Sequence, residues 1–347
     1  MGAISRRLRA MTRAAAICAA TAVFPFAIGI AVAAHAEVTE VNLAEQYGLP
    51  YLPLEVVKKY RLIEKEAEKS GLGALTVTWA KFGSGAAMND ALLSGRLDFA
   101  SGGVAPMLKI WDKTKGTIDV KGVASLGSMP MYLNTNNPKV RSIRDFGEQD
   151  RIALPAVKVS IQAIVLEMAA AKASGEADSG KLDAMTVSMK HPDAMAALLS
   201  NRTEITAHFG NPPFQELELQ RANVHTVLNS YDVLGGPTTL DVLYSTGKFH
   251  RENPRVYNAV VAALRDAMKI INADRKAAAK VYIEEERSNL DPAFIGRILS
   301  NTDFVFTTTP RGVMRYAEFM RGSNAITNKP ASWKDVFFEE IHDESGT

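Results

Sequence analysis

Apolar residues along this chain change their spacing in a regular rhythm. Val38, Val41 and Leu43 alternate loosely with polar neighbours and give way to Tyr47-Gly48-Leu49-Pro50, which predicts a strand over 38–44 followed by a loop. Leu54, Val57, Leu62 and Ile63 fall at roughly helical spacing, with Gly71 and Gly73 as the stop, and predict one helix over 52–69. Leu75 to Trp79 read as a strand that runs into Phe82-Gly83-Ser84-Gly85. A short helix through Leu93 then stops at Gly95, and a brief strand over 97–100 ends in Gly102-Gly103.

The same alternation restarts further on. After a strand over 120–126, a second block opens near Met131 and Asn134, with strands over 151–154, 185–189, 203–209 and 224–228 and helices over 160–173 and 192–200. Beyond Thr246 the pattern is helical and strand-poor, over 258–273, 275–287, 292–299 and 311–320. Strands alternating with helices predict an α/β layer structure with mainly parallel strands. A helical tail needs a surface to cover, and the first block is the natural one. That block would then be discontinuous, with two chain crossings to the second.

Length and charge sharpen this picture. At roughly 100 to 200 residues per domain, 347 residues predict two lobes, each with its own core. Residues 1–36 carry Arg6, Arg7, Arg9 and Arg13 and no acid, then an uncharged run over 14–34, then Ala34-His35-Ala36 before Glu37. This is the layout of a secretory signal cleaved after Ala36; the rival reading is a retained membrane anchor, because the run is long enough to span a bilayer. Ser5-Arg6-Arg7 hints at twin-arginine export, but Arg9 stands where an apolar residue is expected. Taking the four leader cations from the chain's 40 leaves 36 against 38 acidic residues, which argues against nucleic acid binding through a large basic surface. The single cysteine, Cys18, also lies in the leader, so thiol catalysis, disulfides and cysteine metal sites are excluded beyond it.

The two blocks contain an echo. Ala91-Leu92-Leu93-Ser94-Gly95-Arg96-Leu97-Asp98-Phe99 is matched by Ala197-Leu198-Leu199-Ser200-Asn201-Arg202-Thr203-Glu204-Ile205. Gly95 and Asn201 are the two residue types that best tolerate a left-handed helix terminus, and Asp98 and Glu204 keep the charge. Either two helix ends agree by composition, or two similar lobes face one another and offer strand-end loops to one ligand. In open α/β sheets ligands bind outside the carboxyl ends of strands.

With the exported leader, these residues resemble the solute-binding proteins of the nitrate, taurine and aliphatic sulfonate class of ABC importers, over residues 38–325. Phe82-Gly83-Ser84-Gly85 followed by 91–98 resembles the family's first-lobe pattern, and Val123-Ala124-Ser125-Leu126-Gly127 its strand into the first crossing. Ser160-Ile161-Gln162 is similar to the helix start that meets ligand in the second lobe, and Asn211-Pro212-Pro213-Phe214 to the segment after the later second-lobe strand. Asn201-Arg202-Thr203-Glu204 departs from the usual Gly-x-Val-Asp, and Ala163 stands where some relatives carry His. The resemblance implies a type II periplasmic binding fold: a signal peptide over 1–36, lobe one over 37–129 and 235–347, and lobe two over 130–234. It implies a monomeric periplasmic protein that binds a small anion and delivers it to an ABC permease and its ATPase, with no cofactor, metal or catalytic residue.

Candidate contacts follow from residue chemistry. Ser84 and Ser160 each stand where a loop enters a helix, so their hydroxyls and the free N–H groups behind them suit an anionic oxygen and equally suit plain N-capping. Tyr47 is placed to stack on or hydrogen-bond a solute, or to lie half-buried at the surface. His208 and Phe209 end the second-block strand where Gly102 and Gly103 end the first, and Gln162 offers a neutral donor and acceptor. Gly48, Gly85, Asn211 and Phe214 complete the candidate set. Lys81 is the nearest cation, while Met129, Pro130 and Met131 read as core. The charged runs 64–69 and 284–287 read as solvated helix faces.

Other classes have weaker support. A thiamine-pyrimidine synthase shares the implied fold but depends on a cysteine-rich motif, which this chain lacks. No Gly-x-Ser-x-Gly elbow, zinc-type His pair or phosphate loop occurs. A ligand-loaded partner of a sensor kinase would use the same cleft.

Overall fold

The computed structural model describes residues 36–200 and 202–347. The expected signal over 1–36 lies outside the described residues except for Ala36, as does Asn201. Ten strands run β1 Glu40–Glu45, β2 Thr76–Lys81, β3 Phe99–Gly103, β4 Lys121–Ser128, β5 Tyr132–Thr135, β6 Ile152–Leu154, β7 Thr186–Ser188, β8 Ala207–Phe209, β9 His225–Asn229 and β10 Thr239–Ser245. The helices are α1 Leu52–Tyr60, α2 Leu62–Lys69, α3 Gly85–Leu93, α4 Val104–Thr114, α5 Ile161–Ser174, α6 His191–Ser200 and α7 Phe214–Glu218. They continue with α8 Ser230–Leu234, α9 Gly247–Glu252, α10 Pro254–Ala273, α11 Arg275–Glu285, α12 Pro292–Leu299 and α13 Val313–Gly322.

The strands form two five-stranded sheets, ordered β2-β1-β3-β10-β4 and β7-β6-β8-β5-β9. In the first, β1 pairs in parallel with β2 and β3, while β10 runs antiparallel between β3 and β4. In the second, β6 pairs in parallel with β7 and β8, while β5 runs antiparallel between β8 and β9. Each sheet is therefore mixed, with one reversed strand in its fourth position. The reversed strand is the one the chain supplies on crossing over: β5 follows β4, and β10 follows β9. The chain changes sheets at 129–131 and again at 230–238. Met131 N–H donates to Ser230 Oγ and Ser230 N–H to Met131 O, both at 2.9 Å, so the two crossings are stitched together.

Burial explains which segments become strands. β3 and β10 are buried along their full length, as expected for strands covered on both faces. β10 was absent from the periodicity reading because Thr239, Asp241 and Ser245 break any apolar run. α4 was also missed; its Pro106 sits in the first turn, where proline removes no intrahelical bond. The helix expected over 52–69 is two helices, broken at Arg61, whose φ of 51° and ψ of 49° are left-handed and end α1. Apolar spacing continues in phase across the break and so conceals it.

The echoed segments occupy equivalent places: Ala91 to Phe99 joins α3 to β3, and 197–205 joins α6 towards β8. Asp98 accepts the Asn42 N–H at 2.8 Å, tying this corner to β1, whereas Glu204 lies 3.9 Å from Arg151. The C-terminal helices α10 and α11 pack on α1 and α2, and α13 on α4 and α5. α10 buries Val256, Tyr257, Val260, Val261, Leu264, Met268 and Ile271, a helical stripe of apolar side chains. Phe337, fully buried, lies over Gly122 of β4.

Candidate functional site

Loops at the strand ends of both sheets meet around a narrow, partly open cavity. From the first sheet and its helices come Gln46, Tyr51, Gly85, Gly103, Pro106 and Asp241; from the second come Pro155, Ser160, Ile161, Gln162, His191 and Asn211. Three helices begin at this wall, because Gly85 opens α3, Ser160 caps α5 and His191 opens α6. Helix starts carry unsatisfied N–H groups and a partial positive charge, so the wall is built to receive acceptor oxygens.

Of the residues expected to meet ligand, Gly85, Gly103, Ser160, Gln162 and Asn211 line the cavity. Ser160 Oγ accepts the Ala163 N–H at 3.3 Å while lining the wall, so capping and cavity position coincide in one residue. Ser84 Oγ accepts the Ala87 N–H at 3.3 Å in the same way but stands off the wall. Gly102 lies just behind it, where an added Cβ would meet Gln46 Nε2 at 3.2 Å. Tyr47 is half-buried beside it; its carbonyl accepts from Asn211 Nδ2 at 3.2 Å, and Lys81 and Lys190 flank its ring at 5.1 and 5.9 Å.

Gly48 docks the first-sheet loop on the second half of the chain. Its φ of 108° suits glycine, and an added Cβ would lie 2.6 Å from Pro212 O and 2.8 Å from Asn211 Oδ1. The next residue, Leu49, donates its N–H to Pro212 O at 2.8 Å. Phe209 is wholly buried core rather than wall, because its side chain points into the sheet packing. Phe214 stacks on the His191 ring at 5.9 Å and so supports a wall residue instead of being one.

His208 is fully buried and reaches the wall only through His191. Gln162 Nε2 lies 3.3 Å from His191 Nε2, His191 Nδ1 lies 2.8 Å from His208 Nε2, and His208 Nδ1 bonds Glu218 Oε1. Burial, with His208 adding to it, holds the His191 ring well below the ordinary imidazole range, so the ring is neutral. Position His191 was passed over in the sequence because a lone His before Pro192 carries no motif. The signal available was its place where a loop enters a helix, the feature that singled out Ser84 and Ser160.

Three first-sheet residues were also missed. Gln46 Nε2 donates to Tyr51 Oη at 2.7 Å, and the Tyr51 hydroxyl donates to the Asp241 carboxyl. Burial pushes Asp241 up to about 7, with the Tyr51 bond opposing the shift. Asp241 was illegible because β10 was: it reaches the wall by pairing opposite Gly103 across 138 positions of chain. No lysine or arginine is among the residues forming the wall. Lys81, the nearest expected cation, is held instead by Glu286 and by Glu45 at 3.6 Å. Glu284 and Glu285 likewise reach Lys59 and Lys58 on α1, at 2.7 and 3.3 Å, so the 284–287 run bridges helices rather than only facing solvent.

Among the described residues, no group of three His, Cys, Asp or Glu side chains could hold a metal ion, and no helix is long and apolar enough to cross a membrane. The NMT1-like family model matches residues 34–284. The alkanesulfonate-binding protein SsuA of Xanthomonas axonopodis pv. citri, bound to MOPS, is similar in structure with a TM-score of 0.68 at 17% identity, covering 85% of this chain and 96% of that one. The periplasmic aliphatic sulphonate binding protein SsuA of Escherichia coli superposes with a TM-score of 0.63 at 16% identity, covering 87% and 93%. The periplasmic nitrate-binding protein NrtA of Synechocystis PCC 6803 gives 0.59 at 14% identity, covering 76% and 70%. No curated protein sequence matches the chain significantly.

Proposed function

The chain belongs to the NMT1-like family and has the two-lobe periplasmic binding fold, and from that premise we propose that it is the solute-binding component of an ABC importer. In this reading residues 1–36 are an export signal cleaved after Ala36, and the mature protein is a periplasmic monomer. Lobe one comprises 37–129 and 235–347, and lobe two 130–234. The solute enters the open cleft, bridges the two lobes and is retained because it binds the closed form better. The closed form delivers it to a membrane permease and its ATPase. The protein performs no chemistry on the solute.

One observation carries this reading: the starts of α3, α5 and α6, drawn from both sheets, converge on a single cavity. Such a wall favours a small anion, of the sulfonate, carboxylate or nitrate type. Asp241 need not oppose this, since a carboxyl held up to about 7 is about half protonated at neutrality and its protonated form donates to an anionic oxygen.

Thermal-shift screening of small anions tests the proposal. A true solute at 100 times its dissociation constant stabilises by about 2.7 kcal/mol. If only neutral or cationic compounds raise the melting temperature, the anion assignment is wrong; a chemical product formed from a bound compound would overturn the non-catalytic role.

A further inference from the structure

The hydrogen bonds behind the cavity wall form one directed chain, and its direction is set far from the wall. Asn134 Nδ2 donates to the backbone carbonyl of Gln215 at 3.0 Å and to Glu218 Oε2 at 2.9 Å, while Asn134 Oδ1 accepts from Thr226 Oγ1 at 2.8 Å. A backbone carbonyl only accepts, so it fixes which end of the Asn134 amide faces Glu218. Glu218 Oε1 in turn takes His208 Nδ1. At the other end, Gln162 places its amide nitrogen, a pure donor, on His191 Nε2.

A donor at one end and an acceptor oxygen of Glu218 at the other admit a single ordering for two rings that each carry one N–H. His191 Nε2 accepts from Gln162, His191 Nδ1–H donates to His208 Nε2, and His208 Nδ1–H donates to Glu218. A proton placed on His191 Nε2 would face the Gln162 N–H directly. Glu218, His208 and Asn134 are fully buried, and His191 and Gln162 nearly so, so the ordering is not relaxed by bulk water.

We propose that Glu218 and His208 are positioning residues that hold His191 in its Nδ1–H tautomer and thereby pin the Gln162 amide with its NH2 group at His191. Gln162 Nε2 has a second N–H, which this pinning leaves for a solute oxygen at the cavity wall. Only that last consequence rests on the solute-binding reading; the proton positions are properties of the solute-free protein.

Glu218→Gln reverses the chain in this scheme. Asn134 still requires an acceptor opposite its Nδ2, so the new amide must turn its NH2 towards His208 Nδ1. His208 then carries its proton on Nε2 and donates to His191 Nδ1, His191 moves its proton to Nε2, and Gln162 must turn its oxygen to meet it. Proton positions are read from long-range 1H–15N spectra of the full chain labelled at histidine, near neutral pH and without solute, with the two rings assigned through His191→Asn. The expected wild-type spectrum shows Nδ1–H on both His191 and His208. In Glu218→Gln both rings switch to Nε2–H. Nε2–H on His191 in the wild type overturns the proposal whatever the variant does, and so do unchanged tautomers in a folded Glu218→Gln protein. Because neither measurement uses a solute, failure here leaves the importer reading standing, and failure of the anion screen leaves this ordering standing.

Discussion

Gly103, at the end of β3, lies directly against Ile161 at the start of α5. A Cβ added to Gly103 would come within 2.7 Å of Ile161 Cβ and 2.9 Å of its Cγ2. The first sheet and the helix that opens from the second therefore touch through a residue with no side chain, at the cavity wall itself. Gly103→Ala is expected to hold the two halves apart. Solute affinity should fall at least tenfold, about 1.4 kcal/mol, with far-ultraviolet circular dichroism unchanged. Isothermal titration with the anion found in the thermal screen measures this; an unaltered affinity would show that closure does not pass through this contact.

Ser84 and Ser160 make the same capping bond, but only Ser160 lines the cavity. Each Ser→Ala change should therefore cost about 1 kcal/mol of stability in the solute-free protein. Ser160→Ala should in addition weaken solute binding, while Ser84→Ala should not. Paired denaturant melts and titrations separate the two effects, and equal losses of affinity in both variants would deny Ser160 a role of its own.

Asp241 makes the site sensitive to pH. Its folded-state pKa, raised to about 7 by burial, exceeds the unfolded value of about 3.9. The native state thus binds the proton more tightly, and the contribution to stability is complete below pH ~4 and lost as pH rises through about 7. By linkage this amounts to something on the order of 4 kcal/mol. Glu167 and Glu216, also raised to about 7 by burial, contribute to the same descent. Asp241→Asn should flatten the decline in unfolding free energy between pH 4 and 7 without abolishing it. An anion seated beside Asp241 should also bind more tightly as pH falls through about 7, and lose that dependence in the variant. A variant whose stability and affinity profiles parallel the wild type would refute the assignment.

The Phe337 ring of the C-terminal segment packs directly on Gly122 of β4. Phe337 carbons lie 2.4 Å from where a Cβ on Gly122 would stand, and a ring cannot swing aside as a flexible chain end would. Gly122→Ala should cost about 1–3 kcal/mol by overpacking, and Phe337→Ala about 3–5 kcal/mol by leaving a cavity. Combined, the two should cost clearly less than their sum, since the second removes what the first collides with. Urea unfolding of the three variants provides the comparison, and strict additivity would mean that the ring is not the obstacle.

Local pattern was a good guide wherever the cause is local. β1, α3 and α5 are where alternation, apolar spacing and serine caps place them, because a period of 2 or 3.6 and a capping side chain are properties of a few consecutive residues. The same reasoning failed at Arg61, where the phase of apolar positions survives a break in the helix. It failed again at β10, whose burial comes from neighbours on both sides rather than from its own alternation. Within the cavity, Ser160 and Gln162 were legible as a helix start. His191 and Asp241 were not, since neither sits in a pattern.

The order of elements, the doubling of the α/β rhythm and the glycine and serine punctuation of the strand-end loops are all written in short stretches of chain, and they suffice for the fold class. Which residues face one another is not written there. Gln46, Gly103, His191 and Asp241 share one wall only because the chain crosses between two sheets and returns, bringing β10 beside β3 with Asp241 opposite Gly103. Contacts between residues so far apart in the chain, and the proton positions and carboxyl pKa that depend on them, arise from long-range packing and burial, to which no local periodicity refers.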